Sequence, residues 1–288
     1  MTTEQTAAAA ALLTGIDQHL DRLGHLEELT EARYHETHDV FESQSNQRAL
    51  ILDWFENWAG SVAWRGDRAA RILSVGCGSG TLDSEITDRL DRLTPALELT
   101  GVDPNPRHTR AFVERLKPRV EKVHAATCPF EDFQAEASFD LIYFAHSLYY
   151  LEELEAALDK ALELLLPGGW LVILQAPNGA LNQLAHRLWK KQWNRSAWYS
   201  DDIETILANR SDSFRIQRLD ARVDVTTCLD VNSGHGRKVL DFLVQADTAG
   251  FSPALQSLLR KKLELISEYR DGRYLAPHPV DAIVYEKE

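Results

Sequence analysis

The sequence predicts an α/β fold with a mostly parallel sheet, and three observations support this prediction. Short apolar runs alternate with helical segments of ten or more residues between Arg71 and about Leu174. Three glycines at alternate positions, in "GCGSG", follow the first apolar run, and the second run ends in Asp103. Strands that alternate with helices form right-handed βαβ units. We therefore expect a parallel sheet with helices on both faces.

Each element follows from a local pattern. The segments "GIDQHLDRLGHLEEL" and "NQRALILDWFENWAG" space apolar residues three and four apart, which predicts helices and no strand before residue 70. The alternating strands and helices are then "RILSVGCG", "TLDSEITDRLDRL", "LELTGVDP", "RHTRAFVERLKPRV", "KVHAATC", "FDLIYFAHS", "LEELEAALDKALELL" and "GGWLVILQAP". A Trp-rich helical segment follows Pro177, and two β-like stretches, "FRIQRLDARVDV" and "DAIVYE", have helices between them. These patterns predict an N-terminal helical cap or lid over residues 1–70 and an α/β domain over residues 71–288, with a lid insertion at about residues 178–200.

The composition is typical of a globular protein and excludes several functions. The 288 residues are 44% hydrophobic, with no apolar run near the roughly 18 residues of a membrane helix. The net charge of −13 disfavours nucleic-acid binding. The three cysteines lack a metal-like spacing, so we expect a reducing compartment and no bound metal. The sequence thus predicts a cytoplasmic protein without nucleic-acid or membrane partners, and it leaves the oligomeric state open.

The glycines lie where a ligand would bind. Gly76, Gly78 and Gly80 follow the first predicted strand and precede a helix. Ligands of open α/β sheets bind at the carboxyl ends of the strands, and glycines there let a ligand lie against main-chain amides. Asp103 ends the second strand, where a carboxylate can accept hydrogen bonds from both hydroxyls of a ribose. The glycines alone would also be consistent with a tight turn without a ligand, because their spacing is G-x-G-x-G.

These features resemble the class I S-adenosylmethionine-dependent methyltransferases. The resemblance covers about residues 70–175 and includes the glycine loop, Asp103, the strand "FDLIYFAHSL" and the turn "LLPGGWLVI". A narrower resemblance, to the histamine N-methyltransferases and their relatives, depends on "AHSLYYLEEL", "RLWKKQW", "YSDDIETIL", "TTCLDVNSGHGRKVLDFL" and "DAIVYE" in this order. The resemblance implies a Rossmann-like sheet, S-adenosylmethionine as the cofactor, and a C-terminal helical and β insertion on the substrate side.

The resemblance also implies which residues hold the cofactor. The three glycines would cradle its amino-acid part, and Asp103, with Pro104 beside it, would hold the ribose. The residues near the adenine and the methionine portion would be Thr127, Cys128, Ala145 and His146. Many family members carry an acid two residues before the first glycine, where this chain has Ser74. Contact with the cofactor's ammonium group must therefore come from the backbone or from another residue.

The implied reaction is methyl transfer to a nitrogen of a small-molecule amine. The enzyme must align the nucleophile in line with the methyl group, exclude water and keep the amine neutral. The candidate catalytic residues are His146, Tyr149, Tyr150 and His278. His146 could instead be structural or bind the cofactor, the tyrosines could be packing residues, and His278 could belong to a turn.

Aromatic residues suggest where the substrate binds. Trp189 and Trp193 are four residues apart and therefore share a helix face. They could pack the segment onto the protein, or they could enclose a flat or cationic substrate. The predicted substrate-binding residues are Tyr34, Phe41, Gln47, Trp189, Trp193 and Trp198.

Two other classes of function, a different reaction of the cofactor and binding without catalysis, are consistent with the same pattern. The enzyme could transfer the aminocarboxypropyl group of S-adenosylmethionine, or close a ring within it and release methylthioadenosine. The chain could also bind the cofactor without catalysis. The sequence does not show which carbon of the cofactor faces a nucleophile.

Overall fold

The computed structural model describes residues 3–26, 29–64, 68–94, 96–210 and 213–288. The side chains of residues 3–9 and of Trp193 lie outside this description. The chain divides into two compact units. The sheet unit comprises residues 48–177, 197–219 and 280–288, and the helical unit comprises residues 1–47, 178–196 and 220–279.

The sheet unit is built on a seven-stranded sheet of order β3-β2-β1-β4-β5-β10-β6. Strands β1 to β5 are parallel, and β10 is antiparallel to both β5 and β6. The strands are β1 Ala70–Val75, β2 Leu97–Val102, β3 Lys122–Ala126, β4 Phe139–Ala145, β5 Leu165–Gln175, β6 Phe214–Leu219 and β10 Val280–Glu286. This topology confirms the predicted α/β fold with a mostly parallel, Rossmann-like sheet.

Helices cover both faces of this sheet. Successive residues of a strand point to opposite faces, so neighbouring residues enter different cores. Ile72 of β1 belongs to a core that includes Phe55 and Phe112, whereas the next residue, Leu73, belongs to a core with Leu158. The first core is completed by α3 Gln47–Ser61, α4 Thr81–Leu90 and α5 Pro106–Leu116, and the second by α6 Leu154–Leu164 and α8 Ser200–Asn209.

The helical unit has its own core and a small antiparallel sheet of order β7-β9-β8. Its helices are α1 Thr3–Leu20, α2 Glu31–Ser43, α7 Asn182–Trp193, α9 Thr226–Leu229, α10 Gly234–Val244 and α11 Pro253–Ile266. Its strands are β7 Arg222–Asp224, β8 Glu268–Arg270 and β9 Arg273–Pro277. Every helix in the part of the chain described here is too short or too polar to span a lipid bilayer.

The hairpin of β8 and β9 was not predicted from the sequence. Its two-residue turn is Asp271-Gly272, and both residues have positive φ angles, 52° and 80°. An Asp-Gly pair is the expected sequence for such a turn. That pair was therefore the available signal for the hairpin.

The compact units divide at residue 47, whereas the sequence places the end of the N-terminal helical part near residue 70. The difference arises because α3 packs Trp54, Phe55 and Trp58 into a core of the sheet unit. Residues 220–279, which the sequence assigns to the α/β domain over residues 71–288, belong to the helical unit. The lid roles of residues 1–70 and 178–200 stay predictions.

Candidate functional site

The glycine loop joins β1 to α4 in a backbone conformation that favours glycine. Gly76, Gly78 and Gly80 have φ angles of 69°, 52° and 74°, in the region that disfavours other residues. A Cβ atom on Gly76 would lie 2.3 Å from the Cβ of Ser147, whose hydroxyl donates to the Val75 carbonyl at 2.6 Å. A Cβ on Gly78 would meet no atom within 4 Å. The loop therefore leaves open space above the main chain at Gly78.

Asp103 is fixed beside this loop at the carboxyl end of β2. Its side chain is largely buried, and its Oδ2 accepts a hydrogen bond from the Gly78 amide at 3.0 Å. Its Oδ1 accepts from the Asn105 amide at 2.8 Å and lies 3.2 Å from Nδ1 of His108. A carboxylate offers about four acceptor positions, so the contacts with Gly78, Asn105 and His108 leave about one. His108 was not predicted from the sequence.

A buried acid that the sequence analysis missed lies next to Ser74. Asp83, in the first turn of α4, is 4% exposed, and its Oδ1 accepts a hydrogen bond from the Tyr143 hydroxyl at 2.5 Å. The Ser74 hydroxyl also hydrogen-bonds to this carboxyl. Burial raises the pKa of Asp83 and raises that of Tyr143 well above its usual value. Ser74 stands where many family members carry an acid, but the carboxyl group of Asp83, on α4, contacts the Ser74 side chain.

The other predicted cofactor residues lie at or just after the carboxyl ends of β2, β3 and β4. Pro104 and Thr127 are exposed, and the Thr127 hydroxyl lies 2.7 Å from that of Thr109. Cys128 and Ala145 are half-buried, and burial raises the pKa of the Cys128 thiol. Because β2, β3 and β4 belong to the parallel part of the sheet, these residues share its carboxyl edge. Their contact with a cofactor stays a prediction.

His146 and Tyr149 form a hydrogen-bonded pair after β4. Nδ1 of His146 lies 3.2 Å from the Tyr149 hydroxyl, which accepts from the Ala176 amide at 3.0 Å. The two rings are stacked, with an interplanar angle of 9°. Tyr150 is 61% exposed. The tyrosines lie on a 3₁₀ turn, Leu148–Tyr150.

Trp198 is held in the sheet unit by two hydrogen bonds. Its Nε1 donates to the Leu151 carbonyl at 2.9 Å, and its own carbonyl accepts from Nε2 of Gln175 at 2.8 Å. The side chain is half-buried and packs against the core that contains Ile203. These contacts support a packing role, and contact with substrate stays a prediction.

The helical unit brings together predicted residues that are far apart in the sequence. Nδ1 of His278 lies 3.1 Å from the Ser45 hydroxyl. The side-chain Nε2 of Gln47 donates to the main-chain carbonyl of His278 at 2.9 Å. The ring of Phe41 meets the His278 imidazole edge-on, with centroids 5.0 Å apart. Ser45 was not among the predicted residues.

Phe242 extends this aromatic group and was also missed. Its ring centroid lies 4.6 Å from that of Phe41 and 5.7 Å from that of Tyr34. Phe242 lies on α10 within the segment "KVLDFL", whose period suggested only a helix. The half-buried Trp189 lies on α7. The side chain of Trp193 is outside the described part of the chain, so the predicted aromatic pair stays a prediction.

The fold and the loop together define a class of protein. A seven-stranded sheet with one antiparallel strand, a glycine loop after β1 and an acid after β2 are the features of the class I methyltransferase fold. The chain is similar in fold to the YcgJ protein from Bacillus subtilis, with a TM-score of 0.55, 14% identity and coverage of 82% of this chain and 97% of that chain. It is also similar to the plantazolicin methyltransferase BpumL, with a TM-score of 0.52, 13% identity and coverage of 99% and 100%.

Sequence comparison identifies the enzyme class. Residues 73–171 match the family model described as a methyltransferase domain. The chain is 26% identical to histamine N-methyltransferase from Xenopus tropicalis over 242 residues, which cover 75% of this chain and 81% of that protein. It is 23% identical to the Mus musculus histamine N-methyltransferase over 286 residues, with coverage of 89% and 95%. The chain is therefore an S-adenosylmethionine-dependent methyltransferase, with its methyltransferase domain over residues 73–171.

Proposed function

We propose that this enzyme transfers the methyl group of S-adenosylmethionine to a nitrogen of a small-molecule amine. The observation that carries the proposal is the extent of the likeness to the histamine N-methyltransferases. That likeness covers 75% to 89% of the chain in the two relatives, far beyond the methyltransferase domain at residues 73–171. Methyltransferase domains serve many acceptors. Likeness outside the domain therefore supports an amine acceptor.

The residues after β1 and β2 fit the cofactor. The open space above Gly78 is the kind of cradle in which a ligand can lie close against the main chain, whose Gly78 amide is already bonded to Asp103. The remaining acceptor position of the Asp103 carboxylate suits a ribose hydroxyl. We assign the methionine part to the glycine loop and to Ala145, and the adenine to Thr127 and Cys128. The site gains negative charge from Asp103.

The chain's own residues must hold the amine neutral, aligned and shielded from water. When bound, S-adenosylmethionine supplies an electrophilic methyl group on a sulfonium. Burial raises the pKa of Tyr149 and raises that of Tyr199 to about 12, so both phenols stay protonated near neutral pH. Neither tyrosine can therefore take a proton from the amine. His146, in the same unit as the cofactor loop, is our candidate for contact with the acceptor, and the role of His278 stays a prediction.

The test is to incubate the purified protein with S-adenosylmethionine, alone and with a panel of small amines that includes imidazole-ethylamines. Mass spectrometry of the products distinguishes the reactions, because methyl transfer yields S-adenosylhomocysteine and an acceptor heavier by one methylene. We expect this product pair only when an amine is present. Methylthioadenosine as the main product, above the rate of spontaneous breakdown, would overturn the proposal. The same assay with Asp103→Ala is the control for contaminating activity.

A further inference from the structure

The Tyr149 hydroxyl has two hydrogen-bond neighbours that restrict where its proton can lie. One is the main-chain N–H of Ala176, at 3.0 Å, and the other is Nδ1 of His146, at 3.2 Å. A main-chain amide can only donate, so it occupies one of the lone pairs of the hydroxyl oxygen. The proton of the hydroxyl must therefore point elsewhere.

The only acceptor for that proton, among the residues described, is Nδ1 of His146. The Tyr149 ring is stacked with that of His146 and meets that of Tyr199 edge-on. The phenol keeps its proton because burial raises the pKa of Tyr149. The Tyr149 side chain is half-buried and Nδ1 lies within hydrogen-bond distance, so the hydroxyl proton is donated to Nδ1. A neutral imidazole whose Nδ1 accepts a hydrogen bond carries its own proton on Nε2.

The backbone around the imidazole fixes this arrangement. The amide of His146 donates to the Leu174 carbonyl at 2.9 Å, and the φ angle of His146 is 53°. His146 follows β4, and Ala176 follows β5, the neighbouring parallel strand. The imidazole and the amide that orients Tyr149 are therefore attached to the same edge of the sheet.

We infer that Tyr149 is a positioning residue that holds His146 as the neutral Nε2–H tautomer, so that His146 acts as a hydrogen-bond donor and not as the base. To accept a proton from an amine at Nε2, the ring would first have to move its own proton to Nδ1. The Tyr149 hydroxyl would then lose its acceptor. The amine must consequently arrive neutral or lose its proton to another group, and this consequence depends on the proposed function.

The direct test is nitrogen NMR of the full-length protein labelled with ¹⁵N-histidine, at about pH 8, where an ordinary histidine is neutral. Two-bond proton–nitrogen correlations show which ring nitrogen carries the proton. The chain has ten histidines, so the His146 signals are identified by their loss in His146→Gln. We expect a protonated Nε2 and an unprotonated Nδ1. A proton on Nδ1 in the wild-type protein would overturn the inference, whatever the enzyme's activity.

Two tyrosine variants separate the role of Tyr149 from general packing. Tyr149→Phe removes the donor, so we expect the Nδ1 resonance of His146 to shift and the Nδ1–H tautomer to appear. Tyr199→Phe is the matched control, because the Tyr199 ring contacts that of Tyr149 with centroids 6.0 Å apart. The control should leave the His146 signals as in the wild type. Signals that Tyr149→Phe does not change would contradict the positioning role.

Two histidine variants test the role in catalysis once an acceptor is known. In His146→Gln, the side-chain amide nitrogen can donate a hydrogen bond in place of Nε2 but cannot act as a base. In His146→Ala, the side chain can do neither. We expect kcat/KM of the Gln variant within about fivefold of wild type, and that of the Ala variant at least about tenfold below the Gln variant. Both substitutions put an ordinary residue at a positive φ, so backbone strain is matched. Equal losses would overturn the donor role.

Discussion

Asp103 provides the most direct test of the cofactor site. Its carboxylate already accepts from the Gly78 and Asn105 amides and contacts His108, which leaves about one acceptor position for a ribose hydroxyl. One hydrogen bond to a charged group contributes about 1.5–3 kcal/mol. Asp103→Ala should therefore weaken the binding of S-adenosylhomocysteine about tenfold to 150-fold, at about 1.4 kcal/mol per factor of ten. Release of the Gly78 amide would add to this loss.

Isothermal calorimetry with S-adenosylhomocysteine measures the effect. The matched control is Asp88→Ala, which removes the same charge from a side chain that is 49% exposed and paired with Arg119 on the surface. Thermal unfolding without ligand checks that both variants fold. We expect the control to bind like the wild type. An Asp103→Ala variant that folds normally and binds within about threefold of the wild type would refute the assignment of the ribose to Asp103.

Two further predictions concern the residues around the loop. Gly76→Ala places a Cβ 2.3 Å from that of Ser147 at a φ of 69°. We therefore expect the free energy of unfolding, measured with urea, to fall by about 1–3 kcal/mol. A variant as stable as the wild type would contradict this. Asp83→Asn keeps an acceptor for Tyr143 and removes a buried carboxyl group whose pKa is raised by burial. A raised pKa means that the wild type loses stability as the pH rises from the unfolded-state value, near 3.9, to the raised pKa of the folded state. The variant should therefore be more stable near pH 7, by an advantage that shrinks toward about pH 4, and an advantage independent of pH would contradict this.

The sequence by itself determined the α/β class, the glycine loop and the position of Asp103. These features depend on local rules: strand and helix periods, the positive φ angles that only glycine adopts readily, and the common edge at which parallel strands end. The prediction that Gly76 and Asp103 lie at strand ends needed no knowledge of side-chain packing. The order of the strands in the sheet was not predicted and comes from the structure.

Tertiary structure alone decided which distant residues meet. Asp83 contacts Ser74 and Tyr143 because α4 packs on the sheet where β1 and β4 are neighbours and these two residues are paired. The contact between His278 and Gln47 joins residues 231 positions apart. Tyr149 reaches the Ala176 amide because β4 and β5 are neighbours. A periodic pattern shows which face of an element is apolar, but not which hydroxyl, carboxyl or imidazole it will meet. Those pairings depend on how the helices and strands pack, because hydrogen bonds require specific distances and angles between side chains from different elements.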